Sequence, residues 1–463
     1  DIDGYLHFLT TPEVWDPEVW YPGGDLQYTY QYVVGWSTQT VDSQGAIYGG
    51  TSLALDEYGY PHISYRYYTN GGSLIRYAYQ DASGWHFQSV DSTDTYGETT
   101  SLVLNEQGYP HISYDDWNEN ELKNELKYAF KDYSGWHYQT IDFGGFPSLA
   151  LDAHGKPHIS YRDSSAETGA ELKYAYYDNT GWNIQSLEKG SLEFAAPWVS
   201  VGSNGFPHIV YIIDGAIRYA YQDVNGWTFQ TVEEDNQYRS YKSAVVGLDF
   251  NDIPRIGYIW SYSGKGGYWS GIIYDGEEII RNDLDGNYEG LSLDLETNGN
   301  PHLIYQGDTP TDSNGGLIYA HKVADSSWSF EVVDNVASRY TSLSVDKQGN
   351  PHVSYIDFRS EDIKYAYIPA YLVILSPSID YHIDFPGSRV LYSLSLHNRG
   401  GETDSYSISA SGFNWPTTAP ASVGPLAGGE STTIDIQVQI PVTATMGMRD
   451  TATITVTSQA DSS

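Results

Sequence analysis

The sequence predicts an all-β protein, a β-propeller followed by a β-sandwich. Three observations predict it. The pentapeptide Pro61-His62-Ile63-Ser64-Tyr65 returns at Pro110 to Tyr114 and Pro157 to Tyr161, with looser copies beginning at Pro207, Pro254, Pro301 and Pro351. Its histidine position recurs every 47 to 50 residues, a period that signals stacked supersecondary units. Each repeat also divides into four short segments joined by glycine-bearing turns, with no helical periodicity. After about residue 370 the pentapeptide stops, serine, threonine and glycine rise, and lysine disappears.

Within one repeat the elements follow in a fixed order. Thr51 to Asp56 alternates small and large residues, as a strand packed between two neighbours should. A turn over Glu57 to Tyr60 leads into the pentapeptide strand. A variable polar loop, Tyr67 to Ser73, precedes Leu74 to Tyr79, and the turn Asp81-Ala82-Ser83-Gly84-Trp85 precedes His86 to Val90. Four such strands make one antiparallel sheet, and sheets repeated about an axis make a propeller with short, protected edges. A worn copy at Leu6-His7-Phe8 brings the repeats to eight and favours eight blades, with seven as the alternative. The chain opens on Asp1, as a trimmed chain would, and a first strand is expected from sequence before it. The fourth strand of the last repeat is expected at Tyr371 to Leu375. The propeller is thus assigned to 1–370 and the sandwich to 371–463, with strands at Val390 to Leu396, Asp404 to Ser411, Ser431 to Ile440 and Asp450 to Val456.

Composition excludes several functions. Sixty acidic against 23 basic residues give a net charge of −37. That charge repels a phosphate backbone, so nucleic acid is not an expected partner. No cysteine is present, which removes disulfides and thiol chemistry. No apolar run reaches the length that spans a bilayer. An acidic, polar-surfaced repeat protein fits an extracellular or cell-surface location.

The Asp-x-x-Gly-Trp turn recurs at Asp81, Asp132, Asp178 and Asp223, and the segment before it reads basic-Tyr-Ala-aromatic, as in Arg76-Tyr77-Ala78-Tyr79. Here residues 1–370 resemble the Asp-box (BNR-type) propellers, a superfamily that includes sialidases and several lectins. The resemblance implies the propeller fold, with the box as a structural turn. It does not carry sialidase activity across. That chemistry needs a cluster of arginines for the substrate carboxylate and a tyrosine with a carboxylate base. The loop-face arginines are few (Arg66, Arg162, Arg239, Arg339, Arg359) and the Arg-Ile-Pro opening is absent. The segments His397-Asn398-Arg399-Gly400, Phe413-Asn414-Trp415, Leu426 to Glu430 and Ile440-Pro441 make the C-terminal part resemble the Ig-like accessory domains (CARDB type) of secreted proteins. Such modules imply a spacer, anchor or dock.

Function in a repeat protein is expected where the repeats differ. The histidines repeat, so they lie on a ring too wide to share one ion, and each is expected to be satisfied within its own sheet. The loops after the pentapeptide differ. The first is Thr11 to Pro22, with Trp15 and Trp20 in a doubled Pro-Glu-Val-Trp; others supply Tyr67, Tyr68, Asp115, Asp116, Trp117, Trp260, Tyr262 and Asp308. Aromatic faces beside carboxylates suit sugars, which makes a glycan the expected ligand. Alternating oxygens at Asp283, Asp285, Asn287 and Glu289 point to calcium. The expected function is a non-catalytic surface protein for adhesion, glycan recognition or surface assembly, its partner a glycan, a surface protein or its own copies. The alternatives are a polysaccharide hydrolase or lyase and a structural subunit of a surface layer or filament.

Overall fold

The computed structural model describes residues 26–27, 36–43, 49–69, 72–93, 99–163, 170–191, 196–234, 239–264, 267–282, 289–307, 316–322, 327–335, 338, 340–369, 373–376, 384–398, 400, 402–445, 448 and 450–460. The protein is all-β, and it divides into two compact units, one of residues 38–366 and one of 367–463 with 1–37.

The larger unit is a propeller. Seven four-stranded antiparallel sheets follow one another along the chain among the described residues. Sheet one runs Ser52–Leu55, Pro61–Thr69, Gly72–Asp81, Gly84–Thr93, and sheets two to six repeat that order from Thr100, Gly145, Trp198, Arg239 and Glu289. Sheet seven has only three strands in sequence, Thr341–Val345, Pro351–Asp357 and Asp362–Tyr367; its fourth is Ser37–Asp42, from the other end of the chain. The expected fourth strand near Tyr371 is not there, because Val373–Ser376 pairs instead with Arg389–Asn398 in the smaller unit. Leu53 N donates to Ser342 Oγ at 3.0 Å and Thr51 Oγ1 lies 3.0 Å from Ser354 Oγ, so sheet seven contacts sheet one. The worn first copy at Leu6 to Phe8 lies outside the described residues.

Outside sheet five the pentapeptides are buried throughout, as in Pro207–Ile213 and Pro301–Gly307. A sheet in a ring is covered on both faces, so its middle strand shows no polar alternation. Clusters of apolar residues fill the seams from sheet one through sheet six. Ile75, Tyr77 and Val90 of sheet one meet Leu102, Ile112 and Tyr114 of sheet two.

The smaller unit holds two sheets about one core. One orders Val373–Ser376, Arg389–Asn398, Ser431–Gln439 and Thr417–Thr418; the other orders Ser422–Leu426, Asp404–Ser411 and Thr453–Ser458. Arg389–Asn398 buries every second residue, and Leu394, Ile436, Tyr406, Ile408 and Trp415 share the core. Asn398, in the His397 to Gly400 segment, donates from Nδ2 to the carbonyls of Glu402 at 2.7 Å and Leu426 at 2.9 Å, and its Oδ1 accepts from Gly400 N at 3.0 Å.

Candidate functional site

The repeated side chains account for the scaffold. Each pentapeptide histidine turns Nδ1 to the hydroxyl of a tyrosine on the third strand of its own sheet, as in His62 with Tyr77, His111 with Tyr128 and His302 with Tyr319 at 2.5 Å. The far nitrogen faces the turn between the first two strands, where His302 Nε2 lies 2.9 Å from Glu296. Sheet five carries Arg255 instead, and it reaches the equivalent turn through Asp249 at 2.9 Å and also Asp275 at 2.9 Å. Burial depresses His62, His111, His158 and His208, His111 and His158 each to about 4, so these four stay neutral at pH 7.

In sheets one to five and seven the tyrosine that ends the pentapeptide ties neighbouring sheets. Tyr65 donates to Asp42 at 2.6 Å, Tyr114 to Asp91 at 2.7 Å, Tyr161 to Asp142 at 2.7 Å and Tyr355 to Asp334 at 2.6 Å. A cation from the third strand completes the group, Arg76 on Asp42 at 2.6 Å and Lys173 on Asp142 at 2.8 Å. Burial, then the facing carboxylate, raises these phenols well above the ordinary tyrosine range. A tyrosine beside a carboxylate is here a seam, repeated around the ring, and not a singular nucleophile. The Asp-x-x-Gly-Trp turns do the same work at the opposite end. Asp132 Oδ1 accepts from Ser134 N at 2.7 Å, while Trp136 Nε1 donates to Gln88 of sheet one at 3.0 Å and its ring stands edge-on to Tyr77.

The sequence-derived candidates fall in several places. Trp15, Trp20, Asp308, Asp283, Asp285 and Asn287 lie outside the described residues, as does the side chain of Glu289, whose backbone starts the inner strand of sheet six opposite Gln306. Asp115 is 1% exposed and meets the equally buried Arg66, which donates to Ser73 Oγ at 3.2 Å, to Thr93 Oγ1 at 2.9 Å and to the Asp115 carbonyl. Asp116 is buried against Lys127 at 2.6 Å. Trp260 is 2% exposed, with the Arg239 guanidinium 4.5 Å from its ring centre. Tyr67 lies under Arg76 at 4.7 Å, and Tyr262 stacks on Trp269 with centroids 4.8 Å apart. Tyr68 and Trp117 are half-buried at the ends of their strands. Tyr67 and Tyr68 belong to sheet one, Asp115 to Trp117 to sheet two, and Trp260 and Tyr262 to sheet five.

One cavity of about 230 Å³ draws on all seven inner strands. It lies at the loop end of the channel they enclose. Its wall includes Ser52, Ser101, Ser148, Trp198, Lys242 and Ser342, with Gly290 and Leu291 from sheet six and Thr99, Phe146 and Tyr340 beside them. None of the described candidates from the sequence lines it. Among the described residues of the lining there is no Asp or Glu, and Lys242 is the one charged residue.

The serines there have a second task. Ser52 Oγ accepts from Leu102 N at 2.9 Å, Ser101 from Leu149 N at 3.0 Å, Ser148 from Val199 N at 3.2 Å, Ser292 from Leu343 N at 3.2 Å and Ser342 from Leu53 N at 3.0 Å. Each latches one inner strand to the next. Sheets four and five break the pattern, with Trp198 and Val245 at the latch position. Trp198 packs instead against the clusters around Val210 and Val245. A hydroxyl that accepts one bond keeps a proton to donate. Thr99 Oγ1 is buried and makes no hydrogen bond among the described residues.

These features define the class: an all-β protein whose larger unit is a propeller with a hydroxyl- and aromatic-lined channel mouth. No family model and no curated protein matches the chain. Among solved structures it is similar to an ulvan lyase (TM-score 0.43, 12% identity, over 73% of this chain and 95% of that one). It is also similar to an α-L-arabinofuranosidase from Fusarium graminearum (0.42, 11%, over 75% and 97%) and to a Hadza microbial sialidase (0.43, 11%, over 71% and 67%). Likeness of that extent says nothing about what this chain binds.

Proposed function

We propose that the protein is a non-catalytic recognition protein of the cell surface that takes the end of a glycan into the channel mouth. The observation that carries this reading is the lining of the cavity: hydroxyls to bond a sugar, and Phe146, Trp198 and Tyr340 to offer aromatic surface, with no carboxylate among the described residues. Glycoside hydrolysis uses a pair of carboxylates flanking the scissile bond, and the described residues of this lining supply none. At about 230 Å³ the cavity is smaller than the roughly 300–1,000 Å³ pockets that enclose drug-sized ligands, which suits a single sugar residue. In this reading the C-terminal unit is an Ig-like accessory module that spaces or anchors the propeller. Calcium at Asp283, Asp285, Asn287 and Glu289 and an extracellular location are part of the same proposal.

A glycan array followed by calorimetric titration tests it. Binding is expected for a restricted set of saccharides, with Tyr340→Ala or Phe146→Ala weakening the best by about tenfold, the loss of one aromatic contact. An array without hits in calcium, or turnover of a bound glycan by the wild-type protein, overturns the reading.

A further inference from the structure

At the end opposite the mouth the histidine–tyrosine bonds repeat, yet the side chains around them depart from the repeat in one seam. The position ahead of the pentapeptide proline is Tyr60, Tyr109, Phe206 and Ile253 in sheets one, two, four and five, and Asn300 and Asn350 in sheets six and seven. In sheet three it is Lys156. The residue that pairs with the turn tryptophan is Gln80, Lys131, Gln222 and Lys322 in sheets one, two, four and six, but Tyr177 in sheet three. Both departures border a cavity of about 440 Å³ between sheets two and three, within the roughly 300–1,000 Å³ range of ligand pockets.

We infer that this seam is a second saccharide site, separate from the mouth, which seats one sugar ring. Sheet two supplies the floor. His111 and Phe130 line the cavity as near-parallel rings with centroids 5.9 Å apart, and His137 extends the ladder at 4.8 Å from Phe130. The far nitrogen of His111 lies 3.2 Å from Asn105, where sheets one, three, six and seven present an acid, so the back of the floor is uncharged. Tyr177, 40% exposed, adds an aromatic wall and stands edge-on to Trp182. The rim is polar. Lys156 Nζ donates to Asn179 Oδ1 at 3.2 Å, and Trp182 Nε1 donates to Gln139 Oε1 at 2.6 Å. With those oxygens taken, Asn179 and Gln139 offer a ligand their amide N–H groups, and Lys156 offers its ammonium. Asp178, whose Oδ1 is held by Thr180 N at 2.7 Å and Thr180 Oγ1 at 2.6 Å, adds an acceptor. In the seam between sheets one and two the cation is tied to the scaffold instead: Lys131 Nζ and Trp136 Nε1 both donate to Gln88 Oε1 at 3.0 Å. Rings at the floor with donors and an acceptor at the rim match a pyranose, which has an apolar C–H face and a hydroxyl edge.

The test is a glycan array probed with wild-type protein, with Lys156→Tyr combined with Tyr177→Lys, and with Tyr340→Ala, each hit then titrated by calorimetry. The double variant gives sheet three the residues that sheet two carries at both places, Tyr109 and Lys131, so its thermal unfolding should match wild type. A set of saccharides is expected to bind the double variant about tenfold more weakly, the loss of one aromatic contact, while Tyr340→Ala binds that set as wild type does. Tyr177→Phe keeps the ring and should keep the affinity. Should the double variant unfold early, Lys156→Tyr alone decides by filling the cavity. Hits that the seam variants bind as wild type does overturn the inference and leave the mouth reading intact. Hits that all depend on the seam, with none weakened by Tyr340→Ala or Phe146→Ala, support the inference and overturn the mouth reading. An array without hits overturns both.

Discussion

At the turn end of the ring, His62, His111, His158, His208, His302 and His352 each bond a tyrosine of their own sheet. At the mouth end of the same sheets, five inner strands carry a latch serine and two do not. The bulges that separate one inner strand from another stand at the mouth too. Uniformity at one end sets the spacing of the ring. Once that spacing is fixed, the other end can vary without loss of the fold. Repetition marks what holds the sheets together, and divergence marks where a ligand can be distinguished.

The largest effect expected from the uniform end is a response to acid. The folded protein holds His111 and His158 near 4, below the ordinary value of about 6.5. Burial is the cause, opposed at His158 by Asp152. Above pH 6.5 both folded and unfolded states keep these rings neutral, and their contribution to stability is fully present. As pH falls from about 6.5 towards 4, the unfolded chain takes up protons that the folded one refuses, and stability drops by up to about 1.4 kcal/mol per pH unit for each ring. Below about 4 the loss levels off. Calorimetric Tm against pH should show this window, and His111→Phe should flatten part of it. A Tm constant between pH 6.5 and 4.5 would refute the neutral-histidine account. Sheet five already lacks the histidine and carries Arg255 there, paired at 2.9 Å with Asp249 and Asp275.

The next effect lies at the divergent end. Trp198 takes the place of a latch serine and fills the seam between two apolar clusters. Trp198→Ala should cost about 3 kcal/mol, the lower end for a large aromatic removed from a core. Trp198→Ser restores the residue that five other sheets carry and should cost nearly as much, because the space around it was shaped for an indole. Urea midpoints measure both. A Trp198→Ser protein as stable as wild type would mean that the seams are interchangeable after all.

The legibility of the chain follows the same division. The period, the turn glycines and the polar-to-apolar order of each repeat announced an all-β propeller, because each arises from constraints that every sheet shares. The closing strand was not legible. Ser37–Asp42 reads like any fourth strand, and only the sheet pairing shows that it joins the last three strands of the repeat series. The mouth was less legible still. Attention to variable loops found Tyr67, Trp117 and Trp260, whereas the cavity is walled by residues at the starts of inner strands, where the pattern looks like ordinary alternation. Lys242 did not stand out, since other repeats carry Glu98, Glu289 and Arg339 at the equivalent place. Reading it required the register, since a single inserted residue turns a strand position towards the channel.

The smallest effect sharpens the comparison most, because it separates two kinds of latch. Ser148 Oγ accepts from Val199 N at 3.2 Å, and Val199 is 3% exposed. In Ser148→Ala that buried N–H loses its partner, which costs about 1–2 kcal/mol in desolvation. In the seam that lacks this latch, Ser200 Oγ instead donates to the Val246 carbonyl at 2.8 Å. A carbonyl oxygen has two lone pairs and tolerates the loss of one bond better than an N–H does. Ser200→Ala should therefore cost about 0.5 kcal/mol, the low end for one hydrogen bond. Urea denaturation of the two single variants tests the order. Equal losses would show that Ser200 has taken over the serine latch in reverse, and that Trp198 stands at the mouth for the ligand alone.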